Sequence, residues 1–343
     1  MSTAQTRGSE LLAVSLTCGA NAAIVASSLT CQSSCGPSPA YGGAGSRTTA
    51  SLVAGAEEPR ASASRLALYA WRVPAQGLSP DLRVRTGGSP VLRTTTVYAV
   101  ANQKGGVGKT TTAVNLSACL AEAGERVLLI DLDPQANATS GLGMRANGAS
   151  THELLDGVPL AHLAKPSHVE NLDIVMAKND LAAAAVDLSN RPGGERYLAE
   201  ALVDSLDDYT YVLLDCPPSF GPLTVNALAA ADRAIVPVQA EYYALEGLSQ
   251  LLGTINLVKA KLNPELAVAG ILLTMADGRT RLAGEVEREL RRHFGTLVFA
   301  TTIPRSVRLA EAPSHGVPAI AYDRRSAGAE AYWKVAMELV ERS

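Results

Sequence analysis

The chain has 343 residues, 47% of them hydrophobic but only 4% aromatic, with a net charge of −3. That length holds one large or two modest domains with a sizeable core. The near-neutral balance excludes a whole-protein field towards nucleic acid, so any such surface has to be a local patch. No apolar run reaches the ~18 residues a membrane-spanning helix needs. Five cysteines form neither a metal pattern nor a disulfide framework: Cys31 and Cys35 lack a second ligand pair, and Cys119 and Cys216 fall on a helix and a strand end. A reducing cytoplasm is the expected setting.

Residues 1–93 differ from the rest. Ser, Ala, Gly, Thr and Pro dominate, GPSPAYGGAGS (36–46) has linker composition, and eight arginines oppose four acids, about +4. This extension is expected to be disordered or spurious, the latter through a start codon placed too far upstream. A basic arm that aids DNA binding and a folded helix-turn-helix are the alternatives. No paired amphipathic helices joined by a short turn support the latter.

From Val97 strand-like and helical patterns alternate, which predicts a mostly parallel sheet with helices on both faces over residues 94–343. The strand runs are Val97–Ala101, Val127–Ile130, Leu172–Met176, Tyr211–Leu214, Arg233–Val238, Ala267–Leu273 and a weaker Leu297–Phe299. Helical spacing marks Leu245–Lys261, Leu282–His293 and Ala327–Glu341. The first strand runs into Lys104-Gly105-Gly106-Val107-Gly108-Lys109-Thr110-Thr111, and a helical segment with a Gly124 stop follows. Strand, glycine turn and helix N-terminus make a phosphate cradle, with backbone N–H groups and the positive helix end facing an anion.

The end of the P-loop pattern G-x-x-x-x-G-K-[ST] is met by Gly108, Lys109 and Thr110, but Gln103 stands where the first glycine belongs. Lys109 is expected on the β- and γ-phosphates of ATP, and the Thr110 hydroxyl on Mg²⁺. Asp215 ends an apolar strand and is placed to order the ion through water. Asp131 and Asp133, one residue apart after Val127–Ile130, project towards the same mouth, since ligands in such sheets bind beyond the carboxyl ends of the strands.

The string KGGVGKTTT resembles the deviant Walker A box of the ParA/MinD superfamily of ATPases. LLIDLDPQANATSGLG (128–143), YVLLDCPPS (211–219), GILLTMADGRTRLA (270–283) and IPRSVRLAEAPSHGVP (303–318) narrow the resemblance to ParA (Soj) proteins that segregate bacterial DNA. It covers about 250 residues, from Thr94 to the C-terminus. The resemblance implies that Asp133 orients the attacking water, that Asp131 supports the metal, and that Lys104 reaches ATP across a sandwich homodimer formed with ATP. It implies a ParB-type centromere-binding partner that stimulates slow hydrolysis, non-specific DNA binding through Arg279 and Arg308 with Arg281 and Arg305 nearby, and a cytoplasmic, nucleoid-associated protein with no membrane contact. In the family's IPRN segment the Pro and Asn flank adenine. Pro304 carries over, but Ser306 lacks the amide's paired donor and acceptor, so base contacts are expected to fall on backbone groups. The runner-up is a MinD-like division-site ATPase, which needs a basic amphipathic membrane helix that AYWKVAMELVERS (331–343) does not suggest. A DNA-coating protein with negligible turnover is the reading from another class, against which the intact Lys104 and Asp133 argue.

Overall fold

The computed structural model describes residues 95–203, 205–241 and 244–342. The expectations for residues 1–93 fall outside the described residues. In chain order the strands are β1 (Thr96–Val100), β2 (Val127–Asp131), β3 (Lys165–Pro166), β4 (Leu172–Val175), β5 (Tyr211–Asp215), β6 (Arg233–Gln239) and β7 (Ala267–Thr274). The helices are α1 (Lys109–Glu122), α2 (Asn137–Gly141), α3 (Thr151–Leu155), α4 (Leu160–Leu163), α5 (Leu181–Asn190), α6 (Tyr197–Leu202), α7 (Pro222–Ala230), α8 (Ala244–Lys261), α9 (Arg281–Phe294), α10 (Val307–Glu311), α11 (Ala319–Tyr322) and α12 (Ala327–Arg342).

The sheet runs β3-β4-β2-β5-β1-β6-β7, parallel throughout except for the antiparallel edge pair β3–β4. The central strands are continuous apolar runs because they are covered on both faces. Along them the side chains alternate: Ala99, Leu128, Ile130 and Leu214 enter one core, and Tyr98, Val100, Leu129 and Leu213 enter the other. In register, Asp131 stands opposite Asp215, and Asp215 opposite Val100, where β1 gives way to the glycine turn. One end of the sheet thereby gathers the turn and both strand-end acids.

Buried positions in α1 include the run Thr112 to Ala121. It lies between the sheet and α12, whose Tyr332, Val335 and Leu339 share its core, and the Thr112 hydroxyl and the Tyr332 phenol hydrogen-bond at 3.1 Å. Two elements depart from the sequence expectation. Leu297–Phe299 is no strand: a 3₁₀ turn covers Gly295–Leu297, and Val298 makes only an isolated bridge to Ile271. Its apolar signal comes from two buried side chains, Val298 and Phe299, and the Phe299 ring packs so closely over Gly270 that a Cβ there would lie 2.5 Å from it. The two-residue β3, with both residues exposed and Pro166 within it, carries no apolar pattern that could announce it.

The loop after α2 touches the loop before α11 backbone to backbone. Gly316 sits at φ +67°, and a Cβ on it would lie 2.6 Å from the Gly143 Cα. Gly316→Ala is therefore expected to destabilise the fold by about 1–3 kcal/mol, from the left-handed backbone and the overlap together. Gly253→Ala, in α8 with nothing near its Cβ position, is expected to stabilise by about 0.5–1 kcal/mol. Denaturant midpoints of the two variants should move in opposite directions.

Candidate active site

The turn between β1 and α1 is built as an anion nest. Gly106 and Gly108 take φ of 73° and 88°, a left-handed geometry that glycine adopts without Cβ cost and that turns successive N–H groups inwards. Gly108 caps α1, no side chain caps it, and its first turn holds no acid, so the helix end is left for an external anion. Neighbours hold the loop rigid. The Thr274 hydroxyl donates to the Val107 carbonyl (2.8 Å), Asn102 Oδ1 accepts from the Lys104 N–H (3.0 Å), and Asn102 Nδ2 donates to the Pro237 carbonyl (2.7 Å). Asn102 and Thr274 were missed in the sequence, since each is a common polar residue flanking a strand end.

The two lysines take different positions. Lys109 is buried, and its Nζ donates to the Lys104 carbonyl at 3.1 Å, curled over the loop. Burial pushes its pKa down, while Asp215, Cys216 and Asp133 work in the other direction. Lys104 extends outward, its side chain 51% exposed, and pairs with Glu241 just past β6. An exposed pair of this kind is worth about 0–1 kcal/mol, so it parks the lysine without locking it.

Three acids converge on the loop. Asp215 is fully buried, and neither carboxylate oxygen accepts a hydrogen bond of full geometry. Burial raises its pKa well above the ordinary range, with Asp131 adding repulsion and Thr110 and Lys109 opposing. Asp131, also fully buried, is raised to about 6, first by burial. Its oxygens are occupied: Oδ1 accepts from the Asp133 N–H (3.1 Å), and Oδ2 from the Thr139 N–H (2.9 Å) and hydroxyl (2.7 Å). Asp133 is nearly buried, and its Oδ1 accepts from the Gln135 N–H at 2.9 Å.

An orphaned, desolvated carboxylate beside a helix-start hydroxyl fits a cation. Among the described residues no cluster of three or more His, Cys, Asp or Glu forms a protein-only cage. Magnesium does not require one, because it keeps water and takes phosphate oxygens. Thr110 and Asp215 are the residues that would hold it. Asp131, expected to support the metal, is instead engaged by its own loop.

A family model described as an AAA domain matches residues 95–268. Soj of Thermus thermophilus is 57% identical over 244 residues, covering 71% of this chain and 95% of that protein. The chromosome partitioning protein ParA of Myxococcus xanthus is 50% identical over 249 residues, covering 72% and 88%. The chain belongs to the Soj/ParA family of chromosome-partitioning ATPases. Among solved structures, a Mycobacterium smegmatis protein titled cobyrinic acid a,c-diamide synthase, with bound ADP and magnesium, is 39% identical with a TM-score of 0.63, covering 72% of this chain and 94% of that one.

The remaining expected residues of this Soj/ParA-family chain lie where β7 leaves the sheet. Met275 takes φ +51°, and the Ala276 N–H donates to the Ile303 carbonyl (3.0 Å) while the Arg305 N–H donates to the Ala276 carbonyl (3.1 Å). This pairing sets half-buried Pro304 and Ser306 beside the strand end whose Thr274 supports the loop. Ser306 precedes α10 without capping it by its side chain. Arg279 is gripped by both oxygens of Asp277 (2.9 and 2.8 Å), which holds the Asp277 carboxyl well below the usual carboxylate range. Arg308 pairs with Glu311 (2.9 Å) and Asp323 (3.4 Å). Arg281 and Arg305 are exposed and make no hydrogen bond or ion pair with an acid among the described residues, and Arg305 is close enough to Asp277 to help hold its carboxyl down.

Proposed function

We propose that this chain is an ATP-driven DNA segregation switch. The observation that carries the reading is the pair of lysines on one phosphate loop: Lys109 is committed to its own nest, and Lys104 is held at the surface. A buried lysine suffices for binding phosphate in cis. An additional one, half exposed and loosely parked on Glu241, is suited to the nucleotide of a second copy, so that ATP completes a sandwich dimer. Magnesium, when bound, neutralises charge on the β- and γ-phosphates. The chain's residues do the rest: the nest N–H groups and Lys109 bind the phosphates, and Asp133 orients water in line with the γ-phosphate. Lys104 meets the charge that develops in the transition state. Phosphoryl transfer of this kind depends on positioning and charge.

The dimer doubles a surface made of Arg279, Arg281, Arg305 and Arg308, and it binds DNA phosphates without base readout. A ParB-type partner at a centromere-like site then stimulates hydrolysis and release, which places the protein on the nucleoid in the cytoplasm. The MinD-like alternative has less support: Tyr332, Val335, Ala336 and Leu339 of α12 lie in the core against α1, and no helix of the described residues is long and apolar enough to cross a membrane.

The test is DNA retention by the full chain without nucleotide, with ADP and with ATP, each at low and high salt, beside flotation with anionic vesicles. Salt-sensitive retention in ATP alone is expected. Retention in every state overturns the switch, and ATP-dependent flotation without retention favours the membrane reading.

Asp277 competes with phosphate for Arg279, since its carboxylate occupies the guanidinium edge that a phosphate would use. Asp277→Asn is expected to tighten ATP-dependent DNA binding severalfold at low salt. Arg279→Ala is expected to weaken it and reduce the slope of log K against log salt by about 1–2, one contact per subunit. A filter-binding salt titration reads both.

A further inference from the structure

The segment from Leu132 to Ser140 carries Asp133, and its apolar anchors are the buried side chains of Leu132 and Ala138 near its two ends. A cavity of about 520 Å³, open to solvent, lies behind it and is lined by Gln135, Ala136, Thr139 and Ala177. Ala136 sits at φ +53°, a conformation that costs a non-glycine residue about 1 kcal/mol or more and persists only where the surroundings impose it. Between those anchors the ties that reach Asp133 are polar. Asp131 closes it at two points, accepting from the Asp133 N–H at the front and from the Thr139 N–H and hydroxyl at the back. The Thr139 hydroxyl in turn accepts from the Ala177 N–H at 3.0 Å, just beyond β4. Thr139 is 2% exposed. Each partner is fixed: the hydroxyl proton goes to Asp131 and a lone pair goes to Ala177, which leaves one rotamer.

We propose that Thr139 is a positioning residue for hydrolysis, acting through Asp131 to hold Asp133 at the γ-phosphate. The inference rests on the reading of Asp133 as the acid that orients water. In this arrangement Asp131 is the staple of the loop, and Thr139 ties that staple to the neighbouring strand end. The same two strand ends are pinned a second time by buried Thr151, whose hydroxyl lies 2.7 Å from the Asp131 carbonyl and 3.1 Å from that of Met176. The Thr151 hydroxyl fixes the strands through backbone carbonyls, whereas the Thr139 hydroxyl reaches the Asp131 carboxylate. Valine at 139 keeps the shape and the backbone N–H bond but removes the hydroxyl. Asp131 then loses one of three donors, and the Ala177 N–H loses its acceptor.

The experiment compares the full chain with Thr139→Val and Thr139→Ser in three measurements: phosphate release in ATP, affinity for a fluorescent ADP analogue, and amide exchange of residues 132–140 and Ala177. Thr139→Val is expected to lower kcat roughly 10- to 100-fold, the scale of a misplaced positioning group. Analogue affinity should stay within about twofold, because the nest and Lys109 are untouched. Exchange at Asp133 and Ala177 should quicken at least about tenfold while α1 is unchanged, as expected for a local rather than global opening. Thr139→Ser should restore turnover and protection together. Unchanged turnover in Thr139→Val, equal loss of affinity and turnover, or failure of serine to rescue overturns the proposal. If the unaltered chain itself releases no phosphate, the ATPase reading fails. The proposal then falls with the reading of Asp133 on which it rests, whereas unchanged protection at Asp133 in the valine variant overturns the positioning role whatever the turnover.

Discussion

Lys109→Ala is expected to abolish the response of DNA binding to ATP while leaving a folded chain. The Lys109 ammonium makes its hydrogen bond to the Lys104 carbonyl, which bound phosphate would replace with charge-assisted bonds worth ~1.5–3 kcal/mol each. Losing one or two of them weakens nucleotide binding by roughly 10- to 10⁴-fold on the ordinary affinity scale. The burial that depresses its pKa means that alanine also removes a costly desolvated charge, so the fold should tolerate the change. Calorimetry with ATP, circular dichroism and DNA retention separate the outcomes. An unfolded variant would mean that Lys109 is structural, and ATP-dependent retention in the folded variant would overturn its role in the switch.

The legible part of this fold was the part in which one residue type answers to one constraint. Strands β2, β5 and β6 are apolar runs because they lie between two helical layers, and their expected limits fall within a residue of those observed. Asp131 and Asp215 were placed correctly at one edge because an acid closing a buried strand has few other places to go. What sequence could not carry was pairing across distance. Lys104 with Glu241, 137 residues apart, and Arg308 with Asp323 each join two ordinary surface charges with no periodic signal. The assignment of Asp131 to the metal came from the family resemblance. Its hydrogen bonds to Thr139 depend on how α2 folds back over the strand end. Thr139, one of several small polar residues in QANATSG (135–141), is distinguished only by burial. Leu297–Phe299 failed for the converse reason: three apolar residues were read as a ladder, although Val298 makes only an isolated bridge and the Phe299 ring is buried over Gly270.

The acid nearest the chemistry yields the sharpest separation of binding from turnover. Asp133→Asn is expected to lower phosphate release by about 10²–10⁴-fold, the usual contribution of a positioned acid or base, with nucleotide affinity unchanged. Asparagine keeps the side-chain oxygen that accepts from the Gln135 N–H, so the turn at the front of the segment survives. It removes one of three carboxylates crowded at one mouth, and Asp131 and Asp215, whose charge Asp133 opposes, are relieved. The substitution should therefore leave stability equal or higher while turnover falls, a combination that a general loss of structure cannot produce. On the switch reading, the ATP form then accumulates: the variant should hold DNA in ATP for longer than the unaltered chain and resist release by the partner. Rapid phosphate release by the variant would mean that another group orients the water. Slow release combined with normal loss from DNA would uncouple hydrolysis from dissociation and leave nucleotide exchange as the step that frees the dimer.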